Sequence, residues 1–501
     1  MPRHLSRGAL ALLSGAALGL GLPRPGLCVL AWFALAPLLW LCEEAPSWKR
    51  AFTFGFLGGV GFNGTALSWV YPLCRFAGLP PVVGFLAWSA LAVFLGLLWG
   101  LIGALGRAGA LRRPSLAPWA WAILWTAAAA AAERWTPRLS IDFLAYTQWR
   151  HLGLLQISSL AGPHALGFLI VAVNAALLGA WRASARPQAT VPGAVLNASL
   201  AAALLALCWG YGLASLAARP AGPPERQFRV ELLQPAIDQY QKFDEQHAQR
   251  ILDGFDELLA RPRAGAPALI LWPETSIPRW VTTEGGLPEA AAWSRKLGSH
   301  QIVGAMVRAG GLGHNSAIHL GPDGETLGAY HKRELVPFGE YQPLGFLERF
   351  IGILAQMGGL TAGDRVQPLL QTPLGPAAVS ICYEALFPRW ARLDVSQGAK
   401  LFVNVTNDGW YGRTAEPYQH FEANRYRAIE NRIPVLRVSN SGISGVIDPW
   451  GVVTAKLDLG ERGRLDAEVP EEDPFPRRSF YARHGDWLAV LCLLATPLLL
   501  L

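Results

Sequence analysis

The chain divides by the rhythm of its apolar positions. Apolar runs at about 9–22, 26–42, 52–73, 81–106, 116–132, 153–181 and 193–217 are separated by short polar breaks. Several approach the roughly 20 residues a helix needs to cross a bilayer, so the pattern predicts a seven-helix membrane bundle over 1–219. The first run follows Met1–Arg7, with two arginines and a histidine. Alone it has the form of a cleaved signal peptide, but the six later runs argue for a bundle. Between Pro220 and Asp486 charged residues are spread throughout and Gly/Pro turns recur, which predicts a soluble domain over 220–486. The final stretch, 487–501, is apolar again and contains Pro497. It is expected to be an eighth membrane segment, with a surface-lying tail as the alternative.

Within 220–486 the apolar period shortens. Strands are expected at 228–234, 268–273, 301–308, 315–320, 325–331, 376–382, 400–405, 434–440 and 443–448, and helices at 244–260, 286–298, 385–396 and within 415–431. The runs LILW, FVNV and VLRV lack clean alternation, as strands buried on both faces do. Alternating strands and helices with several hairpins predict an α/β sandwich.

Composition agrees: 52% hydrophobic and 16% charged residues are too apolar for a wholly soluble chain. The net charge of +7 and pI near 9.2 do not point to nucleic acid, because the arginines outside the central region sit in short runs between apolar segments. With the N-terminus cytoplasmic, Lys49-Arg50, Arg107, Arg112-Arg113, Arg182 and Arg186 fall in cytoplasmic loops. The short alternate loops hold Arg24 and Arg75, and the longer 133–152 loop adds Arg134, Arg138 and Arg150. This bias places everything after the seventh segment on the outer side. Of the six cysteines, five lie in or beside apolar runs and none forms a CxxC, so neither a disulfide framework nor a zinc site is implied. The histidines likewise show no metal-ligand spacing.

Cys382 is the cysteine of the polar region, closing the run Val379-Ser380-Ile381. At a strand-to-helix junction a cysteine lies near a helix N-terminus, which favours thiolate and turns backbone N–H groups toward an oxyanion. Most lone cysteines are small core residues, and local sequence leaves both readings open. Glu274 ends the run Leu269–Pro273, where an apolar pocket would fit it to move protons; a solvated edge glutamate is the plainer alternative. Lys332 is by default a surface cation; beside Cys382 it would lower the thiol pKa and stabilise a negative oxygen. His331 is read as structural, since no cysteine-protease signature accompanies Cys382.

Together, the segments LWPETSIP, YHKRELVPFGEYQPL, ICYEALFP, NVTNDGWYG and QHFEANRYRAIENRIPVLRVSNSGISGVIDPWG resemble the carbon–nitrogen hydrolase (nitrilase) superfamily. With seven apolar runs before them and one after, the chain is similar to that superfamily's membrane-bound apolipoprotein N-acyltransferases. The resemblance implies a polytopic bundle of about eight spans joined to a four-layer αββα domain. It also implies Glu274 as general base, Lys332 as oxyanion-stabilising cation and Cys382 as nucleophile. Glu340, Tyr383 and Glu384 would support this triad, and Trp410 and Tyr411 would sit near the acyl-chain entrance. Relatives often carry tryptophan after the first-helix lysine; here the pair is Lys242-Phe243, and Phe243 keeps an aromatic for lipid contact.

The implied reaction moves a fatty acyl chain from a phospholipid, typically phosphatidylethanolamine, through a cysteine thioester to the N-terminal amine of a diacylglyceryl apolipoprotein. No cofactor or metal is implied, and the site is placed on the periplasmic side of a bacterial inner membrane. Keeping water from a thioester calls for an apolar lid, expected around 341–360. A membrane-tethered amidase, a transporter with a non-catalytic appendage and an inactive relative are the competing readings. The bundle argues against the first, the scarcity of ionisable residues in the runs against the second, and the intact triad against the third.

Overall fold

A computed structural model describes residues 6–135, 144–185, 191–222, 226–242, 245–282, 286–341, 359–471 and 478–501. These form two compact units. One comprises Met1–Arg219, Thr414–Glu430 and Ser479–Leu501, and the other Pro220–Arg413 and Asn431–Arg478. Two segments of the polar region, Thr414–Glu430 and the stretch from Ser479, therefore cluster with the apolar unit.

Among the described residues of the first unit, four helices are long and apolar enough to cross a membrane: Pro81–Arg112, Pro114–Glu133, Pro163–Ala185 and Pro192–Ala217. Only 11% of the apolar window of Pro192–Ala217 is buried, which leaves Leu196, Leu200, Leu207 and Leu213 exposed. So much outward apolar surface suits lipid rather than water. The remaining expected spans fall on the helices Arg7–Gly19, Cys28–Glu43, Trp48–Ala66 and Trp487–Leu500. The 153–181 run is cut at Gly162, whose φ of 69° admits the turn before Pro163, and the 52–73 run ends its first helix at Ala66 before a second begins at Val70.

Small residues and side-chain amides tie the helices of this unit together. A Cβ on Gly61 would run into the Leu12 carbonyl, so the helices Arg7–Gly19 and Trp48–Ala66 touch backbone to backbone. Asn174, buried in Pro163–Ala185, donates to Ala31 O (2.8 Å) and accepts from Leu35 N and Ala36 N (both 3.0 Å), satisfying the start of the helix Ala36–Glu43. The helix Glu416–Asn431 is tied in by polar contacts. Gln419 accepts from Trp69 Nε1 (3.2 Å) and donates to Ala66 O (3.1 Å), while the Tyr426 hydroxyl donates to Ala145 O (2.5 Å).

The second unit is built on two sheets. Its strands are β1 (Gln227–Gln234), β2 (Leu269–Leu271), β3 (Trp280–Thr282), β4 (His300–Ala309), β5 (Leu312–Leu320), β6 (Thr326–His331), β7 (Leu370–Thr372), β8 (Gly375–Ile381), β9 (Leu401–Thr406), β10 (Val435–Ser439), β11 (Ser444–Ile447), β12 (Val453–Leu457) and β13 (Gly463–Pro470). The first sheet runs β13-β1-β2-β4-β5-β6, with β3 also paired to β4; the second runs β12-β11-β10-β9-β8-β7. Each has a parallel centre, β1/β2/β4 and β8/β9/β10, flanked by antiparallel strands. Those central strands carry the unbroken apolar runs, and β2, β9 and β10 are buried throughout.

The sheets pack face to face. Outside the first, the helices Ala248–Ala260 and Pro288–Leu297 bury Phe255, Leu258, Ala290 and Trp293 against Ile270, Trp272 and Val303. The helix Pro388–Ser396 packs on β8 of the second, giving helix, sheet, sheet and helix layers. The strands β3, β7, β12 and β13 were not expected. Three residues are too few to show a period in β3 and β7, and the half-exposed β12 and β13 read as polar.

Candidate active site

Glu274 stands just beyond β2. Its strand is pinned from behind by Trp272, which stacks on Phe255 at 4.5 Å and donates to Gln301 Oε1 (2.5 Å). Thr275 then takes a φ of 52°, a left-handed turn that a threonine holds only under constraint. Ser276 supplies it, donating its N–H to Gly304 O (2.7 Å) and its hydroxyl to Pro273 O (2.6 Å). Gly304 must lack a side chain, because its Cβ would lie 2.7 Å from Glu274 Cα. The Glu274 carboxylate accepts from Asn315 Nδ2 at 2.7 Å.

Lys332 directly succeeds β6, its N–H bonded to Asn315 O (2.8 Å) and its carbonyl to Gly363 N (2.8 Å). The side chain is 1% exposed, with Nζ 2.8 Å from Glu340 Oε1 and 3.6 Å from Glu274 Oε1. Burial alone would drive the ammonium to lose its proton, but the Glu340 and Glu274 carboxylates outweigh it and hold the lysine charged, above its usual range. Glu340 also accepts from Asn315 Nδ2 (3.0 Å) and, through Oε2, from Val336 N (2.8 Å).

Cys382 closes β8 at a φ of 54°, a second left-handed residue at the end of a parallel strand. The chain then makes a short 3-10 turn, Cys382–Leu386, and the α-helix begins only at Pro388. The expected helix N-terminus at the sulfur is absent, and the thiol is not held as thiolate. Burial, reinforced by the Glu274 charge, pushes its pKa up, and Lys332 only partly opposes this. At rest the site is a neutral thiol facing a carboxylate and an ammonium, so ionisation needs a base.

Glu384 joins the lysine and cysteine segments. Its Oε1 accepts from Arg333 N (2.6 Å) and Glu334 N (2.9 Å), and its Oε2 from Ile381 N (2.7 Å) and the Tyr330 hydroxyl (2.9 Å). One carboxylate thus ties the residue after Lys332 to the residue before Cys382. Burial pushes its pKa up to about 7 against the pull of the Ile381 N–H and the Arg333 charge. Arg333 is anchored in turn by Asp394, Nη2 to Oδ2 at 2.5 Å.

Carbon-nitrogen hydrolase is the family whose model matches residues 232–473, and a model of the apolipoprotein N-acyltransferase N-terminal domain matches 14–176. The apolipoprotein N-acyltransferase of Geobacter metallireducens is 34% identical over 497 residues, spanning 96% of this chain and 92% of the relative. That of Agrobacterium fabrum is 33% identical over 505 residues, spanning 93% and 90%. The chain belongs to the apolipoprotein N-acyltransferase family.

It is therefore a membrane acyltransferase with a nitrilase-like second unit. Of its other candidate residues, Tyr383 is buried edge-on against Phe387, ring centroids 5.0 Å apart. Trp410 and Tyr411 close the turn Asp408–Tyr411 after β9, with Trp410 38% exposed. Phe243, and most of the expected lid at 341–360, lie outside the described residues. His331 faces Ser316, Nδ1 to Oγ at 2.7 Å, and its ring packs against His314.

Three groups in this acyltransferase escaped sequence reasoning. Asn315 donates to both glutamates; the trace was a polar residue entering the apolar end of GHNSAIHL. A buried cation, Arg437, reaches Asn404 Oδ1 (2.5 Å) and Asp408 Oδ2 (2.6 Å), while Asn404 donates to the Cys382 carbonyl (3.2 Å). Its trace was polarity inside FVNVTND and VLRVS, strands otherwise apolar. The third is Lys242, whose Nζ donates to the main-chain carbonyl of Glu274 at 2.6 Å.

Proposed function

We propose that this acyltransferase moves a fatty acyl chain from a membrane phospholipid, with phosphatidylethanolamine as the principal donor, to the N-terminal amine of diacylglyceryl-cysteine apolipoproteins. Glu274 takes the Cys382 proton as sulfur attacks the ester carbonyl. The C–S bond forms, the C–O bond breaks, and Glu274 returns the proton to the departing lysophospholipid oxygen. The apolipoprotein amine then attacks the thioester, the C–N bond forms, the C–S bond breaks, and Glu274 carries the amine proton while sulfur leaves as thiolate. Lys332 stabilises the oxyanion in both steps, and Glu340 and Asn315 hold it toward Glu274.

The observation that carries this reading is Cys382 at a left-handed φ, its neutral thiol within the electrostatic reach of a buried Glu274–Lys332 pair. Strain stored at a nucleophile is a sign of function. Tyr383 and Glu384 hold the strand end, and Trp410 and Tyr411 sit near the acyl-chain entrance. The short helices Arg7–Gly19, Cys28–Glu43 and Trp487–Leu500, together with Trp48–Ala66, complete about eight membrane segments. The domain boundaries then track the spans: 1–219 bundle, 220–486 catalytic and 487–501 terminal segment. The arginine-rich loops put the N-terminus in the cytoplasm and the site on the periplasmic face of the inner membrane. The test is transfer itself. Purified protein given phosphatidylethanolamine and a diacylglyceryl lipopeptide should yield the N-acylated peptide and lysophospholipid in equal amounts, and Cys382→Ser should yield neither.

A further inference from the structure

A polar row crosses the otherwise apolar second sheet beside Cys382. Ser380 on β8, Asn404 on β9 and Arg437 on β10 are register partners, Ser380 opposite Asn404 and Asn404 opposite Arg437. Along β9 the flanking residues are Phe402, Val403 and Val405, and all three members of the row are buried. Polar groups inside a buried sheet are costly unless each finds a partner, so the bonds of the row show what it is for.

Those bonds run in one direction. Arg437 carries only donors: Nε gives to Ile443 O (3.1 Å), Nη2 to Asp408 Oδ2 (2.6 Å) and Nη1 to Asn404 (2.5 Å). The Asn404 atom facing it is therefore the oxygen, and a flipped amide would set NH₂ against the guanidinium. Nδ2 is thereby turned toward β8, where it lies 2.9 Å from Ser380 Oγ, 3.3 Å from Ser380 O and 3.2 Å from the Cys382 carbonyl oxygen. The pairing of β8 with β9 ends at Ile381 opposite Val405, so this last carbonyl lies beyond the ladder, on the residue with a φ of 54°. The chain is held on both sides of that strained residue, at Ile381 N by Glu384 (2.7 Å) and at Cys382 O by Asn404.

We propose that Asn404 is a positioning residue for the nucleophile: its amide, oriented by Arg437, holds the Cys382 carbonyl and with it the left-handed backbone from which the sulfur attacks. A non-glycine residue at positive φ keeps that conformation only while its surroundings impose it. Displacing the sulfur by about 1 Å is enough to slow an attack about 10²-fold. If the amide only joined β8 to β9, its bonds to Ser380 would matter and its bond to Cys382 would not. The assignment rests on Cys382 as the nucleophile proposed above.

The experiment is the pre-steady-state burst of p-nitrophenol from p-nitrophenyl butyrate on the full-length protein, with the butyryl mass located on the Cys382 peptide and no phospholipid or lipopeptide present. Sulfur attacks the ester carbonyl, the C–S bond forms, the C–O bond breaks, p-nitrophenolate leaves and Glu274 takes the thiol proton. Asn404→Leu and Asn404→Asp are close to asparagine in size and both remove the donor. The aspartate keeps an oxygen for Arg437, and it carries the test if the leucine variant does not fold. Each should lower the saturating burst rate about 10–100-fold while the half-saturating ester concentration stays within about threefold of the parent. Ser380→Ala, which removes only the hydroxyl that shares the amide, should leave the burst rate within about threefold. A burst at the parent rate in either folded Asn404 variant, or an equal loss in Ser380→Ala, would overturn the proposal. A parent protein with no burst on Cys382 would remove the nucleophile and this proposal with it. Because the ester replaces both lipid-borne substrates, a failure of the phospholipid-to-lipopeptide transfer would leave this readout intact.

Discussion

The two sheets of the catalytic unit are alike in architecture and unlike in chemistry. Each ends a parallel strand on a left-handed residue beside a functional side chain, Thr275 after Glu274 in one and Cys382 itself in the other. The first sheet supplies the charges, Glu274 beyond β2 and Lys332 beyond β6, with Asn315 on β5 between them. The second supplies the neutral thiol and behind it a buried Arg437–Asp408 pair. Under the proposed function, the difference lets a burial that keeps a thiol protonated still serve a nucleophile. In the mechanism proposed above, base and counter-charge stand on the opposite sheet and the thiol ionises as the substrate arrives.

This division can be broken side by side. Cys382→Ala should cost transfer at least about 10⁴-fold, since no other group can hold the acyl chain; a steady-state N-acylation assay reads it. On the charged side, Glu274→Gln should cost about 10²–10⁴-fold in kcat and leave the fold intact. Lys332→Met should cost about 10²–10³-fold. It should also move Cys382 alkylation to higher pH, because removing a cation disfavours the anion and the thiol pKa is already raised. A profile displaced to lower pH would contradict the assignment of Lys332 as a charge acting on sulfur.

Behind the thiol the effects should be on stability. Arg437→Met takes the buried guanidinium away from Asp408, and should lower unfolding stability by about 3–5 kcal/mol in denaturant titrations. Glu384→Gln sets an amide NH₂ against a pair of backbone N–H donors and should cost about 1–3 kcal/mol, with a further loss of activity as the Lys332 and Cys382 segments part. Gly304→Ala, whose Cβ would meet the main chain at Pro273 and Glu274, should cost a comparable amount, about 1–3 kcal/mol, its kcat falling more than KM rises.

What could be read from the sequence depended on physical contrast. Central strands such as β2, β9 and β10 announced themselves as apolar runs, and Glu274 and Cys382 stood out because each ends one. Edge strands β12 and β13 alternate apolar and polar residues, as half-exposed strands do, and were missed despite that signal. The thiol's ionisation was read backwards, since a helix N-terminus was expected where the chain makes a 3-10 turn, and desolvation is a property of the packed site. Asn315, Arg437 and Lys242 were missed for a related reason: the first two are polar residues in or beside apolar runs, and the partners that give each of the three a role lie far along the chain. The membrane unit shows the same limit, because Gly162 and the 67–69 break divide runs that composition presents as continuous.

The central claim, that Cys382 carries the acyl chain, is tested most directly by intact-protein and peptide mass spectrometry after incubation with phosphatidylethanolamine alone. The account predicts one added acyl mass on the Cys382 peptide, removed by hydroxylamine and discharged by a diacylglyceryl lipopeptide. No adduct on the wild-type protein, or full transfer activity in Cys382→Ala, would contradict it.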